Sequence, residues 1–522
     1  MQKSLFLNMK KKALSFEGKI TDELKSYRRA QKRYANRSFE TSTLIELFES
    51  IEDANIIFLG DFHTFDQNTK NFERILKALI KKDKKLAFGL EFIFASKQKY
   101  IDLYLAGHLS ELEFLESIDY FQSWRFPWKH YSFLFNFAKK NRVPILALNS
   151  NGTLDKRDQF ASDHISYFLK DNPEYKMLVL FGELHIMPNK IPKLVTKSLG
   201  PDFKQLIIHQ NLDDVFWKLN ESSIIRFNEL EFSLQASPPW IKYESMIYWL
   251  ENILEDPEFD LHEYILEKKG NLNSGDLSEK FLFLCLKINE GLSLDLEVSK
   301  LENFNIFDYH QMEIVLEKLN KNNKLDYFYK KLITNGKSFC IPESSDYYLP
   351  NSSVNKVSMI IGLHLKNILN ESVPLSENNS DFFCRFIGNF FIAHFCSKIL
   401  NPYKKCDLYL DLLKNMASSG YTQEEKVFYK SSIKILNDLS NNIDISTIIE
   451  GQDFYVLYSL AEIIGPLLGD IYYQNIDSYN GEVREYIQNK LLYSNPTLEE
   501  LPNIFNIIFD DLKLNISKKD YF

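Results

Sequence analysis

Two copies of the motif Gly-x-x-His occur in the first part of the sequence, each directly after an apolar run. One copy ends at His63 and the other at His185, and the residue after the glycine is acidic in both, Asp61 or Glu183. Between the two copies, Glu91 ends a further apolar run. One such histidine is usually structural, but the repetition around a carboxylate indicates a shared site. Two imidazoles and one carboxylate form a facial set of ligands for a divalent transition metal, with coordination positions left open.

A metal ion held by these residues would lower the pKa of a bound water to roughly 7 and polarise a carbonyl group. Asp61 or Glu183 would complete the metal sphere, orient a ligand histidine or act as a base. A metal-free centre is also open, in which His63 is the general base and Glu91 fixes its tautomer. We therefore predict metal ligation by His63, Glu91, His185 and Asp61, and catalytic roles for His63, Glu91, His185 and Glu183.

Apolar runs alternate with helical periodicity up to about residue 210, which predicts parallel strands joined by crossover helices. The runs are apolar at successive positions, as a sheet covered on both faces requires. In an open parallel sheet, sites form beyond the carboxyl ends of the strands. Successive strand ends would bring His63, Glu91, Asn149 and His185 to one rim. The predicted strands are 55–59, 86–90, 143–148, 177–181 and 205–209.

Two further segments carry side chains suited to this rim. Arg157 and Asp158 open the helix after the third strand, where the helix dipole favours the aspartate. Arg157 either binds an anionic group or forms a structural pair. The aromatic segment 124–131 either walls the pocket, where it would stack on a flat ligand, or packs over the sheet.

The hydrophobic pattern of the sequence changes after about residue 215, and most of the segments that follow show helical periodicity. We therefore predict a mostly parallel α/β domain over 46–215 and a largely α-helical region over 241–522, of one or two subdomains. Residues 1–45 form a basic helical extension. This extension is either a solvated helix or a contact for an anionic surface.

The composition is that of an ordinary globular protein, with a net charge of -9 and a pI of about 5.7. This charge disfavours nucleic acid as a partner. No apolar stretch reaches the ~18 residues of a membrane span, and the two nearest, 382–400 and 455–473, predict buried core helices. The five cysteines are odd in number, form no Cys-x-x-Cys pair and lie in the C-terminal half, which is typical of a reducing compartment. Lacking a secretory signal, the chain is predicted to be cytoplasmic.

The motifs resemble those of the ChaN-like haem-binding family of the Tiki superfamily, which also includes erythromycin-esterase-like proteins. The resemblance covers roughly residues 50–195. It implies an α/β fold with both histidines and Glu91 in one cleft. The family commonly has glutamate where this chain has Asp61. The segments that carry the resemblance are 59–63, 89–91, 104–107, 146–149, 157–158 and 182–185.

The resemblance also implies ligands and activities. ChaN-like members imply binding of haem or iron, with a tyrosine as haem ligand. The candidates here are Tyr100, Tyr104 and Tyr131, and we predict cofactor binding by Tyr104, Tyr131 and Arg157. Tiki-type members imply a metal-dependent peptidase, and esterase-like members imply a His/Glu hydrolytic centre.

Three functions from different classes therefore remain open. The first is binding of haem or a divalent transition metal at the strand ends. The second is a metal-dependent hydrolase that acts on a peptide or ester. The third is an interaction protein in which the site is only structural and the helical region makes the contacts. The expected ligand is a small molecule or a peptide, and the chain is compatible with a homodimer.

Overall fold

The computed structural model describes the chain in ten stretches. The chain divides into two compact units, residues 3–270 and 271–520, and each is described by itself. The described residues are 2–16, 20–80, 85–219, 223–255, 277–319, 325–350, 352–370, 376–418, 420–509 and 516.

The first unit is an eight-stranded sheet with helices on both faces. Its strands are β1 (Glu40–Thr41), β2 (Ile56–Asp61), β3 (Lys85–Phe94), β4 (Ile145–Asn149), β5 (Tyr175–Gly182), β6 (Gln205–Gln210), β7 (Ile224–Asn228) and β8 (Glu231–Leu234). Its helices are α1 (Gln2–Ser15), α2 (Asp22–Ala35), α3 (Leu44–Asp53), α4 (Asp66–Ile80), α5 (Gln98–Leu105), α6 (Glu111–Ser117), α7 (Tyr120–Ser123), α8 (Ser132–Asn141), α9 (Leu154–Asp171), α10 (Ile191–Leu199), α11 (Asp213–Phe216) and α12 (Pro239–Glu255).

The strand order is β1-β7-β8-β6-β2-β5-β3-β4. The run from β8 to β4 is parallel, and β7 and β1 are added antiparallel at one edge. All six residues of β2 are buried, as expected for a central strand covered on both faces. The predicted fold class, a mostly parallel α/β sheet followed by a helical region, is confirmed.

The sheet uses more of the chain than the predicted range 46–215. Strands β7 and β8 follow residue 215, and β1 comes from the N-terminal extension. These strands escape prediction because they are short and lack the apolar runs of the centre. Helix α12 also belongs to this unit, although we assigned it to the helical region. Its Trp240 is fully buried and its Lys242 ammonium lies 3.0 Å from Asp213 Oδ1.

Two apolar layers fix the sheet between its helices. One face packs against α4, α5 and α8, with Phe72, Phe88 and Phe135 buried among them. The other face packs against α9 and α10 through Ile165, Val179 and Val195. Helix α9 begins where the Thr153 side chain accepts from the Lys156 N–H, a standard N-cap. This cap sets the first turn of α9, and therefore Arg157 and Asp158, at the rim of the sheet.

The second unit is mainly helical, as predicted, but it also contains a three-stranded sheet of order β10-β11-β9. Strand β11 is only three residues long, which is too short to show the alternation that predicts a strand. The strands are β9 (Asn305–Phe307), β10 (Phe339–Cys340) and β11 (Asp346–Tyr348). The helices are α13 (Leu277–Leu292), α14 (Val298–Leu301), α15 (Met312–Leu319), α16 (Asp326–Thr334), α17 (Val354–Leu369), α18 (Asn379–Leu400), α19 (Tyr409–Ala417), α20 (Gln423–Ser440), α21 (Ser446–Ile449), α22 (Phe454–Asn475), α23 (Gly481–Leu491) and α24 (Leu501–Phe509).

Helices α18 and α22 are long and apolar enough to cross a membrane by length and composition alone. In these two helices, 78% and 72% of the apolar window is buried in the structure. Helix α18 also buries Lys398, and α22 buries Asp470, and the two side chains form an ion pair of 3.1 Å. The burial agrees with the prediction that both are core helices.

Candidate functional site

Glu91 is the centre of the polar cluster at the carboxyl edge of the sheet. It lies in β3, where the pairing with β4 becomes irregular between Leu90 and Phe94. The residue is 4% exposed, and both of its carboxylate oxygens accept hydrogen bonds. Oε1 accepts from Arg157 Nη2 at 2.7 Å, and Oε2 accepts from the Gly182 N–H at 2.6 Å. The carboxylate is therefore fixed in position and charge-compensated.

The two motif histidines face this carboxylate from neighbouring strand ends. His63 Nε2 lies 4.0 Å from Glu91 Oε2, and His185 Nε2 lies 4.0 Å from Glu91 Oε1. All three side chains converge over the α-carbon of Gly182. A Cβ at this position would lie 3.0 Å from Glu91 Oε2, 3.4 Å from His185 Cδ2 and 3.5 Å from His63 Cε1. The missing Cβ of the second motif's glycine therefore allows the close approach of these side chains.

A buried carboxylate holds the other ring nitrogen of each histidine. His63 Nδ1 lies 2.9 Å from Asp61 Oδ2, and His185 Nδ1 is hydrogen-bonded to Asp158 Oδ1. In the neutral imidazoles, the proton therefore sits on Nδ1 and leaves Nε2 as a ligand or base. The metal-free prediction assigned the tautomer of His63 to Glu91, but Asp61 makes that hydrogen bond, because Glu91 faces the opposite nitrogen.

The hydroxyl groups of two tyrosines contact these carboxylates on the side away from the histidines' Nε2 atoms. The Tyr131 hydroxyl donates to Asp61 Oδ2 at 2.9 Å and is fully buried. The Tyr27 hydroxyl lies 2.7 Å from Asp158 Oδ2 and 2.8 Å from Asp155 Oδ1. Tyr27 was missed by sequence reasoning, which interpreted residues 1–45 as a basic helical extension, either solvated or in contact with an anionic surface. In the sequence, Tyr27 is distinguished only by lying on the same side of α2 as Ala30 and Ala35. That side of the helix is buried in the structure.

The predicted cofactor-binding residues have different places in the structure. Tyr104 is a core residue, 5% exposed, whose ring stacks on Phe114 with centroids 4.4 Å apart. Its position among buried aromatic rings suits packing, and it is not one of the residues that meet at Glu91. Tyr131 positions Asp61 instead of facing the cluster, and Arg157 binds the Glu91 carboxylate.

Glu183, predicted as a catalytic residue, points to a different partner. Its Oε2 lies 3.6 Å from the Lys242 ammonium, which is also 3.0 Å from Asp213 Oδ1. Asp61, at the equivalent position of the first motif, instead turns back to His63. The two acidic residues are alike in sequence, but only Asp61 orients a histidine of the cluster.

The aromatic segment provides one wall beside His63. The His63 ring lies 4.5 Å from the Trp124 centroid and 5.0 Å from that of Phe126. Phe126 stacks on Trp249 of α12 at 4.4 Å, and the Trp249 indole N–H donates to the Arg125 carbonyl at 2.9 Å. Both predicted roles are therefore present, because Phe126 walls the site while Trp128, 1% exposed, packs in the core.

A cavity of about 510 Å³ opens beside the two histidines. His63, Gly182 and His185 line one side of it, and aromatic, basic, acidic and aliphatic residues line the rest. This volume lies within the range of about 300–1,000 Å³ that holds cofactor-sized ligands. The other lining residues include Lys10, Asp61, Phe62, Phe126, Glu183, Asp213, Lys242, Tyr243 and Trp249.

The pKa of His63 is raised above its ordinary value of 6.5. Burial alone would lower this pKa, but the charge and hydrogen bond of Asp61, together with the charge of Glu91, outweigh burial. The stability that protonated His63 contributes is therefore present below pH 6.5 and is lost as the pH rises through the raised pKa.

We expect a proton NMR titration of the His63 imidazole to give a midpoint above 6.5 in the wild-type protein. Asp61→Asn should move this midpoint below 6.5, because burial then dominates. The signal is assigned by its loss in His63→Gln. An unchanged midpoint in Asp61→Asn would contradict the role given to Asp61.

A second polar cluster lies in the helical unit. Its donor atoms, from His394, Cys406 and Asp470, all lie within 4.8 Å of one another. The Asp470 carboxylate already accepts from His394 Nε2 and the Lys398 ammonium, each at 3.1 Å, and from Gln474. Burial lowers the pKa of His394 to about 4, so this imidazole is neutral near pH 7. The contacts are those of a buried ion pair between α18 and α22.

Comparison with known proteins agrees with the motifs of the first unit. Residues 47–157 match the model of a family described as "Haem-binding uptake, Tiki superfamily, ChaN". This stretch is ChaN-like. It contains His63, Glu91 and Tyr131 and ends at Arg157, so Asp158 and His185 follow the match. Helices α1, α2 and α12 also lie outside the ChaN-like stretch.

One solved structure, described as "Cofacial heme binding to ChaN of Campylobacter jejuni", is also similar to this chain. The identity is 17% and the TM-score 0.26, with 34% of this chain and 91% of that chain covered. No curated protein matches the chain.

Proposed function

We propose that the first unit binds a metal-containing ligand of the haem type in the cavity beside Glu91, and that His63 and His185 hold its metal. The observation that carries this proposal is the pair of imidazoles, each fixed at Nδ1 by a carboxylate and each turning Nε2 toward Glu91. Histidines that ligate metals almost always donate their other ring N–H in this manner. Imidazole is also a common axial ligand of haem iron.

The surroundings of the cluster fit a flat metal-containing cofactor. Phe62, Phe126 and Trp249 line the cavity and offer aromatic surface for a planar ring. Two polar atoms at the rim, Asn149 Oδ1 and Arg157 Nε, are buried without a hydrogen-bond partner among the described residues. Buried polar atoms of this kind are rarely left unsatisfied, so they favour a bound molecule or water.

The aromatic lining of the cavity favours a cofactor with a planar ring over a bare ion. Bound haem would supply an iron centre, while this chain holds the imidazoles, fixes Glu91 and covers one side of the ring.

We expect the purified full chain to give a stoichiometric Soret band on titration with hemin. His63→Ala and His185→Ala should each weaken hemin binding by at least about tenfold, a loss of ~1.4 kcal/mol, because each removes a metal-directed nitrogen. His164→Ala is the matched control, since His164 is exposed on α9 and outside the cavity. Tryptophan fluorescence of each variant checks that the unit is folded.

Unchanged hemin affinity in both cluster variants would contradict the proposal and favour a site that is only structural. A second candidate is a metal-dependent hydrolase, favoured by the pairing of His63 with Asp61, which suits a general base. Stoichiometric bound metal without a Soret band, released in His185→Ala, would support the hydrolase instead. The cytoplasmic location and the homodimer remain predictions from the sequence.

A further inference from the structure

Helix α1 is a basic helix whose sequence contains no acidic residue. Lys3, Leu7, Lys11 and Leu14 recur along it at steps of three or four residues, so they lie on one face. All four side chains are exposed. These four residues form an outer stripe in which cations alternate with leucines along the length of the helix.

Another side of α1 is fixed to the first unit. Leu5 is fully buried, and the Phe6 ring lies 5.5 Å from that of Trp217, measured between centroids. The Lys10 ammonium lies 2.8 Å from Asp213 Oδ2. These contacts set the rotation of the helix about its axis, and the outer stripe is therefore held facing solvent.

The charge of the outer stripe is not neutralised by ion pairs. Among the described residues, neither Lys3 nor Lys11 has a carboxylate within ion-pair distance. Leu7, which lies one turn from each of these lysines, is 55% exposed. A single exposed leucine is ordinary, but leucines set between lysines on one helical face are typical of helices that lie in a membrane interface.

The outer stripe ends beside the cavity of the first unit. Leu14 lines this cavity together with Lys10. Because Leu14 is also exposed, the cavity approaches the protein surface at this end of α1. Whatever covers the outer stripe would therefore lie next to the cavity.

We propose that the outer stripe docks the protein on the surface of an anionic lipid bilayer. The lysines match the negative headgroups, and the leucines enter the boundary between headgroups and acyl chains. The leucines favour a bilayer over a nucleic acid, whose backbone would engage the lysines alone. An apolar ring dissolved in the bilayer would meet the cavity at Leu14. That consequence rests on the proposed function, whereas the docking does not.

Sedimentation of the full chain with lipid vesicles tests the docking. We expect binding to vesicles of equal parts phosphatidylcholine and phosphatidylserine, little binding to phosphatidylcholine alone, and a loss of binding as salt is added. Lys3→Gln/Lys11→Gln should weaken binding to the mixed vesicles at least about tenfold, because both cations face the headgroups. Leu7→Gln should weaken it by about tenfold, because an apolar side chain no longer enters the interface.

Each variant has a matched control elsewhere in the first unit. Lys193→Gln/Lys197→Gln removes the same charge from exposed positions of α10. Ile45→Gln removes an exposed aliphatic side chain from α3, where Glu49 lies one turn away and is also exposed. Both controls should bind the mixed vesicles as the wild type does, and tryptophan fluorescence should show every variant to be folded.

Equal binding to both kinds of vesicle, or wild-type binding by Lys3→Gln/Lys11→Gln, would overturn the proposal. So would failure to bind either vesicle, and binding to polyglutamate in that case would assign the outer stripe to an acidic protein instead. Hemin titration without vesicles measures the proposed function separately. A chain that binds hemin but no vesicle would overturn the docking alone, and a chain that binds vesicles but no hemin would overturn the proposed function alone.

Discussion

Asp158→Asn should lower the free energy of unfolding of the first unit by about 2–4 kcal/mol and should also weaken hemin binding. Asp158 is 1% exposed and accepts hydrogen bonds from His185 Nδ1 and the Tyr27 hydroxyl. An asparagine loses the charge, and its NH2 group must face one of the two donors that Asp158 accepts. One buried donor is then left without an acceptor, and His185 is no longer held in its tautomer.

Tryptophan fluorescence during urea unfolding measures this loss. All five tryptophans lie in the first unit, so the signal reports that unit alone. Asp155→Asn is the matched control, because the Tyr27 hydroxyl also lies 2.8 Å from Asp155 Oδ1, yet this side chain is 73% exposed. Its effect should stay below about 1 kcal/mol. Equal losses in the two variants would show that His185 and the burial of Asp158 are not the cause.

Gly182→Ala should disrupt the cluster without removing any of its functional groups. The added Cβ would lie 3.0 Å from Glu91 Oε2, which is closer than most Cβ contacts in proteins. Glu91 would have to move, and its contacts with the Gly182 N–H and Arg157 would lengthen. Overpacking of this kind costs about 1–3 kcal/mol. We expect a loss of hemin affinity of at least tenfold, or ~1.4 kcal/mol.

The control for this substitution is Gly481→Ala, at the start of α23. A Cβ at Gly481 meets nothing within 4 Å, and the position is helical. Its fluorescence transition and hemin affinity should equal those of the wild type. Gly182→Ala with wild-type hemin affinity would mean that the ligand does not depend on the position of Glu91.

The strands and the convergence of His63, Glu91 and His185 follow from local pattern. Each residue comes after an apolar run, and parallel strands end at one edge, so neighbouring strand ends meet regardless of loop detail. Asp61 and Glu183 show where this reasoning stops. Both follow the motif glycine, yet Asp61 turns to His63 and Glu183 to Lys242. The difference depends on α12, which brings Lys242 from a distant part of the chain.

Tyr27 and Tyr104 mark the same limit for tyrosines. The contact between Tyr27 and Asp158 joins positions 131 residues apart, and nothing in the helical pattern of α2 distinguishes a hydroxyl that meets a carboxylate. Tyr104 lies in a motif-bearing segment but stacks on Phe114, which is nearby in the chain and apolar. We predicted Tyr104 as a ligand because it lies in a segment that resembles the family. The position of its ring, however, is determined by packing against Phe114.

The strand order bears on how this protein can be divided for experiments. The stretch 47–157 contains β2, β3 and β4, but both neighbours of β2 in the sheet, β5 and β6, come later in the chain. A fragment cut at the limits of the family match would hold one isolated central strand and one two-stranded pair, which is at best marginally stable in water. A fragment made for experiments should therefore include the residues at least up to Leu234, the end of β8, which is the last strand of the parallel part of the sheet.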